Sequence, residues 1–99
     1  MKLDVTSRGG EVTPDIQQCL EKKLKKVERV SKPTGQLNVT IVHDRPDRGV
    51  EVSARAYGQD FRAKEQGEDL VVCAESALDK LFKQIKKRKE KVTDYSPHS

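Results

Sequence analysis

The sequence predicts an α+β domain of element order β-α-β-β-β-α, in which two helices pack on one face of a four-stranded sheet. Apolar residues recur every three or four positions in two long segments, which is typical of helices with one buried face. Four shorter segments alternate apolar and polar residues, which is typical of half-buried strands. At 99 residues there is room for one modest core. We therefore expect a single domain over residues 1–92 and a short flexible C-terminal tail over 93–99.

The chain opens with a predicted strand and helix. Leu3 and Val5 alternate with Lys2, Asp4 and Thr6, which predicts a short first strand that ends at Gly9-Gly10. Thr13 suits the N-cap position and Pro14 the first helical position, so we expect a helix from Pro14 to Val30. Its predicted buried stripe contains Ile16, Leu20, Leu24, Val27 and Val30.

Three strands are predicted to follow. The second strand should run from Leu37 to about His43, the third over residues 50–57 and the fourth over 60–65, with polar or glycine-containing turns between them. Because a strand–helix–strand crossover is right-handed, the first two strands should be parallel and the others antiparallel, with both helices on one face. The other sheet face should meet water, with Tyr57 as its one aromatic residue.

The last helix is predicted from Glu68 to Val92. Its buried stripe should contain Leu70, Ala74, Ala77, Leu78, Leu81 and Ile85. Acidic residues near its start and basic residues at its end match the helix dipole. Each such end charge contributes only about 0.3–1 kcal/mol, and like charges within a turn repel. The excess of lysines therefore indicates that an anionic partner binds this end.

The net charge of +4 is unevenly distributed. Residues 21–32 contain six basic and two acidic residues, and residues 80–91 contain seven basic and one acidic residue, which leaves the remainder acidic. This division predicts a directed anion-binding face, with solvated surface lysines as the alternative. Lysine predominance favours contacts to nucleic-acid phosphates over base reading, and the scarcity of aromatic residues argues against base stacking.

Lys23 is the one lysine that falls within the apolar stripe of the first helix. Local inconsistencies of this kind concentrate at functional sites. The alternative is a lysine whose aliphatic stem packs on the core while its ammonium group reaches the rim.

Enzymatic chemistry is not indicated. His43-Asp44 is the one histidine–carboxylate neighbour in the predicted domain, and the sequence offers neither a nucleophile nor a third metal ligand beside it. The glycines form no phosphate-binding motif. We therefore predict no catalytic residues, no metal, no cofactor and no small-molecule substrate.

The N-terminus has no hydrophobic signal segment and no apolar run is long enough to span a bilayer, so we expect a cytoplasmic protein without a membrane partner. Cys19 and Cys73 lie on different helices. We interpret them as reduced packing residues, with a disulfide or redox role as the alternative.

Several short motifs lie in the two helices. The last helix has an acidic entry at Gly67-Glu68-Asp69-Leu70, then Ala74-Glu75, then a basic ending with Lys80-Leu81, Gln84-Ile85, Lys87, Lys89 and Lys91. The first helix has Val12-Thr13-Pro14, Lys23-Leu24 and Lys26-Val27-Glu28. Together, over nearly the whole chain, these motifs resemble the ribosome hibernation-promoting factor and ribosome-associated inhibitor family. Val71 and Glu75 depart from its usual Tyr and Asp.

The resemblance implies binding to 16S-type RNA of the small ribosomal subunit, in the channel for messenger and tRNA, which would inhibit translation sterically. By resemblance the RNA-binding residues are Lys23, Lys26, Lys80, Lys87, Lys89 and Lys91. From charge geometry alone we add Lys22, Arg29, Lys83 and Arg88. The length is similar to the short branch of the family. We also expect a monomer off the ribosome.

Two other functions stay open at this point. A general double-stranded-RNA-binding module also places helices on one sheet face, but it usually carries its lysines at the start of the last helix, where this chain is acidic. A regulator that docks on an acidic protein surface would use the same lysines.

Overall fold

The computed structural model describes residues 2–30, 35–56 and 58–93, with side chains described at 2–26, 35–56 and 58–88. The elements are β1 (Lys2–Arg8), α1 (Pro14–Val30), β2 (Gln36–Val42), β3 (Gly49–Ala56), β4 (Gln59–Gln66) and α2 (Leu70–Thr93). The predicted fold class and element order are confirmed, as are the bounds of α1. Tyr57 and residues 94–99 of the predicted tail lie outside the described residues.

The four strands form one sheet of order β1-β2-β3-β4. β1 pairs with β2 in parallel, and the other two pairings are antiparallel, as the crossover rule predicts. The register places Val5, Val39, Val52 and Ala63 side by side across all four strands. These side chains point to the helices, while the alternate positions on the other face are mostly exposed and polar.

The core lies between the sheet and both helices. Leu20 of α1, Leu37 and Ile41 of β2, and Leu78 and Leu81 of α2 are all fully buried. Every residue of the stripe predicted for α2 is buried, namely Leu70, Ala74, Ala77, Leu78, Leu81 and Ile85. In the stripe predicted for α1, Ile16 and Leu20 are buried and Leu24 is half-buried, whereas the side chains of Val27 and Val30 lie outside the described residues.

The start of α2 differs from the prediction by two residues. The helix begins at Leu70 rather than Glu68, because Asp69 is its N-cap. The carboxylate of Asp69 accepts hydrogen bonds from the backbone N–H groups of Val71 (3.0 Å) and Val72 (3.3 Å). Its carbonyl accepts the first intrahelical hydrogen bond, from the N–H of Cys73 (3.0 Å).

The two helices run side by side in the same direction. β1 and β4, the strands that precede them, point the same way in the sheet, so both helices return in the opposite sense. The N-caps Thr13 and Asp69 line one shallow cavity. Ten residues after these N-caps, Lys23 of α1 contacts Asp79 of α2. The C-terminal halves of both helices therefore lie at the same end of the molecule.

Candidate nucleic-acid interface

The predicted RNA-binding residues lie in the C-terminal halves of the two parallel helices. At about 1.5 Å of rise per residue, the 24 residues of α2 span about 36 Å and the 17 of α1 about 25 Å. Since the helices begin level with each other, α2 extends about 10 Å beyond the end of α1. The structure thus brings the two basic segments to one end, with α2 projecting further.

Lys23 forms an ion pair between the helices. Its Nζ donates a hydrogen bond to the Asp79 carboxylate at 2.8 Å, and the side chain is 21% exposed. This hydrogen bond raises the pKa of Lys23, while partial burial acts in the opposite direction. The stem packs inward and the ammonium group lies at the rim, as the packing alternative predicts, and there it is held by a carboxylate.

Lys80 is also paired, with Glu65 of β4. Strand alternation places Glu65 on the helix side of the sheet, at the edge opposite Val50, where its side chain is 25% exposed. The Lys80 ammonium group is therefore directed towards the sheet edge. Lys23 and Lys80 each have a carboxylate partner that an RNA phosphate would have to displace.

The other predicted cations with described side chains are exposed, and none of them pairs with a described carboxylate. They are Lys22, Lys26, Lys83, Lys87 and Arg88. By the helical repeat of about 100° per residue, Lys83 and Lys87 lie on neighbouring turns of the outer side of α2. Their ammonium groups meet water and are accessible to an anion.

Three predicted residues, Arg29, Lys89 and Lys91, lie on helix backbone whose side chains are outside the described residues. Their contribution to an RNA surface stays a prediction.

Two further exposed lysines lie in the basic segments but are not among the predicted RNA-binding residues. Lys25 and Lys86 lie in the same basic segments and are exposed. The charge run alone would have included both.

A hydrogen bond joins α2 to the free edge of β4. The Gln84 side chain donates to the Arg62 carbonyl at 3.1 Å. This contact lies between Leu81 and Ile85, the last buried residues of the described part of α2. The hydrogen bond therefore holds the last buried turn of α2 against Arg62 of β4.

The structure places a hydroxyl group near His43, which the sequence did not suggest. Because β1 and β2 are neighbours, Ser7 Oγ lies 3.0 Å from His43 Nε2. The Ser7 hydroxyl donates its one hydrogen to the Gly10 carbonyl at 2.6 Å, so His43 Nε2 must donate to Ser7. A histidine in that tautomer does not activate the hydroxyl as a nucleophile. The contact instead joins the residue that follows β2 to Ser7 of β1, and the Ser7–Gly10 hydrogen bond joins β1 to the loop that leads into α1.

The two cysteines are buried free thiols, consistent with packing residues. Burial raises the pKa of both thiols, and the nearby Glu75 carboxylate raises the pKa of Cys19 further.

Among residues 2–30, 35–56 and 58–93, no group of three potential metal-ligating side chains comes together. No helix in that part of the chain is long and apolar enough to cross a membrane.

The sequence is similar to one known protein family and to several of its members. The model of the protein family described as "Sigma 54 modulation protein / S30EA ribosomal protein" matches residues 3–93. A ribosome hibernation promoting factor from Klebsiella oxytoca is 22% identical over 95 residues, covering 96% of this chain and all of the relative. The factor of the same name from Escherichia coli K12 has the same identity and coverage.

Two solved structures share the fold. The N-terminal domain of Protein Y from Thermus thermophilus is 25% identical and superposes with a TM-score of 0.76, covering 88% of this chain and 98% of that one. A ribosomal subunit interface protein from Coxiella burnetii is 19% identical, with a TM-score of 0.78 over 90% of this chain and 98% of that one. The second likeness supports the fold alone.

Proposed function

This chain belongs to the Sigma 54 modulation protein / S30EA ribosomal protein family, and from that membership we propose that it is a ribosome hibernation factor. It binds RNA of the small ribosomal subunit in the channel for messenger and tRNA. Lysines of both helices contact the RNA phosphates. By filling the channel it inhibits translation without making or breaking a bond, so it needs no cofactor and no catalytic residue.

The observation that carries the proposal is the parallel arrangement of α1 and α2. Lys23 and Asp79 meet at the same level of the two helices, so both basic segments point to the same end. A polyphosphate surface can therefore contact Lys22 and Lys26 of α1 together with Lys83 and Lys87 of α2. Each neutralised phosphate releases counterions, so such binding weakens steeply as salt rises.

A duplex-RNA-binding module is the weaker alternative. The first turn of α2 is preceded by Glu68 and Asp69, and Asp69 occupies the N-cap. These carboxylates repel phosphates from the helix start, which is the part that such modules use. The basic end of α2 is also the end that projects beyond α1, which suits insertion between RNA elements.

Off the ribosome we propose a cytoplasmic monomer that has neither a membrane partner nor a small-molecule substrate.

A regulator that docks on an acidic protein would differ from a ribosome-binding factor in its partner, which would be a protein and not RNA. Binding of that kind would survive nuclease treatment, whereas ribosome binding would not.

Competition on small subunits tests the proposal. The protein should co-sediment with purified small subunits, and subunits already loaded with messenger and tRNA should bind it much less. The variant Lys83→Glu/Lys87→Glu should neither co-sediment nor inhibit translation in vitro. The control Lys2→Glu/Lys64→Glu makes the same charge change at exposed positions of the sheet and should behave like the wild type. Equal binding to loaded and empty subunits would contradict the channel site.

A further inference from the structure

The two edges of the sheet differ in how their backbone groups are covered. β4 forms one edge and β1 the other. At the β4 edge, the Gln84 side chain of α2 donates a hydrogen bond to the Arg62 carbonyl. At the β1 edge, the described hydrogen bonds involve the side chains of Ser7 and Asp4 and leave the outward backbone groups without a partner. A row of unpaired N–H and C=O groups is a template for a further strand.

The outward backbone groups of β1 belong to its odd-numbered residues. The Lys2 N–H donates a hydrogen bond to the carbonyl of Gly35, which directly precedes β2, at 2.9 Å. Lys2 therefore points its peptide groups at β2, and the pleat gives the same direction to every second residue. The N–H and C=O groups of Leu3, Val5 and Ser7 consequently point away from the sheet.

Apolar side chains line this edge on the side of the helices. Leu3 and Val5 pack against the core but are only half-buried, whereas their partners on β2, Leu37 and Val39, are fully buried. Leu24 of α1 is half-buried as well. A strand added beside β1 would place its own side chains next to these groups and remove more of their apolar surface from water.

Two carboxylates flank the edge, one on each side of the sheet. Asp4 is exposed on the open face and accepts a hydrogen bond from the Gln36 side chain at 3.2 Å. Glu21 lies two residues before Lys23, a rotation of about 200° around α1, so it is on the side of that helix opposite α2. Because α2 covers β3 and β4, this side of α1 is the β1 side. Neither carboxylate pairs with a described cation, so both favour a basic residue on an incoming strand.

A second copy of this chain is the less suitable occupant. Antiparallel pairing of two β1 strands would set both Leu3 and Val5 opposite apolar residues of β1 in one register only, with Leu3 opposite Val5. That register also sets Asp4 opposite the Asp4 of the other copy. Like charges directly opposite each other are destabilising. The apolar contacts therefore come with an acid pair, which favours a strand from a different protein.

We propose that the β1 edge binds an extended segment of another protein, which adds to the sheet as a fifth strand. Apolar residues at alternate positions of the segment pack beside Leu3 and Val5, and a basic residue between them faces Asp4. The backbone hydrogen bonds supply affinity and the alternate side chains supply specificity. The inference is independent of the proposed function, because it uses none of the lysines assigned to RNA and takes a protein as its ligand.

The alternative is an edge that stays in water. Lys2, Asp4 and Arg8 are exposed on β1, and charged residues on an edge strand discourage the addition of another strand. In that case the half-buried Leu3 and Val5 only pack against the core.

The test uses a synthetic peptide, Ser-Thr-Val-Lys-Val-Thr-Ser, blocked at both ends and titrated into the isotope-labelled full chain. We expect the amide signals of Leu3, Val5 and Ser7 to shift and to become protected from hydrogen exchange, since these groups gain hydrogen bonds. The peptide with Glu in place of its Lys should bind about 3–10-fold more weakly, because it places an acid opposite Asp4.

A charge exchange makes the test specific. In Asp4→Lys the preference should reverse, so that the Glu peptide binds more tightly than the Lys peptide. Glu51→Lys makes the same charge change at an exposed position of β3 and should keep the wild-type preference. Circular dichroism of both variants verifies that the fold is intact.

Three results would overturn the inference. The first is the absence of shifts in these amides at millimolar peptide. The second is equal binding of the two peptides to the wild type and to Asp4→Lys, which would mean that the edge does not select a basic strand. The third is protection of the same amides that grows with protein concentration and needs no peptide, which would identify a second copy as the occupant.

Discussion

The Lys23 ammonium nitrogen lies 2.8 Å from a carboxylate oxygen of Asp79, and each residue is the tenth of its helix. This contact fixes the relative level of two parallel helices whose basic segments follow it. Parallel neighbours align their dipoles unfavourably, with both negative ends at the same place. The lysines that follow in both helices offset that potential and are then available to a polyanion.

The Lys23–Asp79 pair should make stability depend on alkaline pH. The pKa of Lys23 is raised above its ordinary value of 10.5, chiefly by the hydrogen bond to Asp79. The stabilisation is therefore complete below pH 10.5 and is lost as pH rises through the folded-state pKa. We expect Asp79→Asn to lower the free energy of unfolding by about 0.2–1 kcal/mol at neutral pH, and by progressively less above pH 10.5. Urea unfolding at several pH values measures this difference, and a constant difference would contradict the assignment.

The N-cap at Asp69 gives a second prediction. Asp69→Ala removes the acceptor for the backbone N–H groups of Val71 and Val72. We expect it to destabilise the fold by about 0.5–2 kcal/mol, and Asp69→Asn by much less because the amide oxygen still accepts. The exposed loop residue Asp47 provides the control, since Asp47→Ala should change stability by less than about 0.5 kcal/mol. Chemical denaturation measures all three, and equal losses for Ala and Asn at position 69 would argue against the cap.

The core between the helices and the sheet gives a third prediction. Leu78 is fully buried, so Leu78→Ala should cost about 2–5 kcal/mol by lost burial and a residual cavity. Val72 lies on the same helix and is 55% exposed. Val72→Ala should change stability by less than about 0.5 kcal/mol. Similar unfolding midpoints for the two variants would be inconsistent with the described packing of α2.

Glu65 should limit the affinity for RNA, because it pairs with Lys80. Glu65→Gln releases that ammonium group, so we expect tighter binding to small subunits and a salt slope steeper by up to about 1. Glu51→Gln makes the same charge change on the exposed sheet face and serves as the control. If both variants tighten binding equally, the effect is one of overall charge and Lys80 has no specific role.

Much of the fold was predictable because its signals are local. Thr13 and Pro14 mark the start of α1, and the apolar stripe of α2 is buried as its periodicity indicates. The parallel pairing of β1 with β2 follows from the handedness of the crossover. The start of α2 was placed two residues early because Asp69 and Glu68 both suit a helix start, and only the cap geometry separates them.

The candidate site was less predictable because ion pairing depends on tertiary register. Lys23 and Asp79 are 56 positions apart, and no local pattern indicates that they meet. The pairing of Lys80 with Glu65 likewise depends on how α2 lies along β4. The proximity of Ser7 to His43 requires two strands to be neighbours. Exposure of Lys83, Lys87 and Arg88 was predictable from charge, but the end of the buried stripe at Ile85, among the described side chains, was not.

The most direct test of the account compares the two helices in one binding measurement. The variants Lys22→Glu/Lys26→Glu in α1 and Lys83→Glu/Lys87→Glu in α2 are titrated against purified small ribosomal subunits at two salt concentrations. If both helices face one RNA surface, each variant should bind far more weakly than the wild type, and the wild type should lose affinity steeply as salt rises. Wild-type affinity in the α1 variant, or wild-type binding that is insensitive to salt, would contradict a joint phosphate-binding surface.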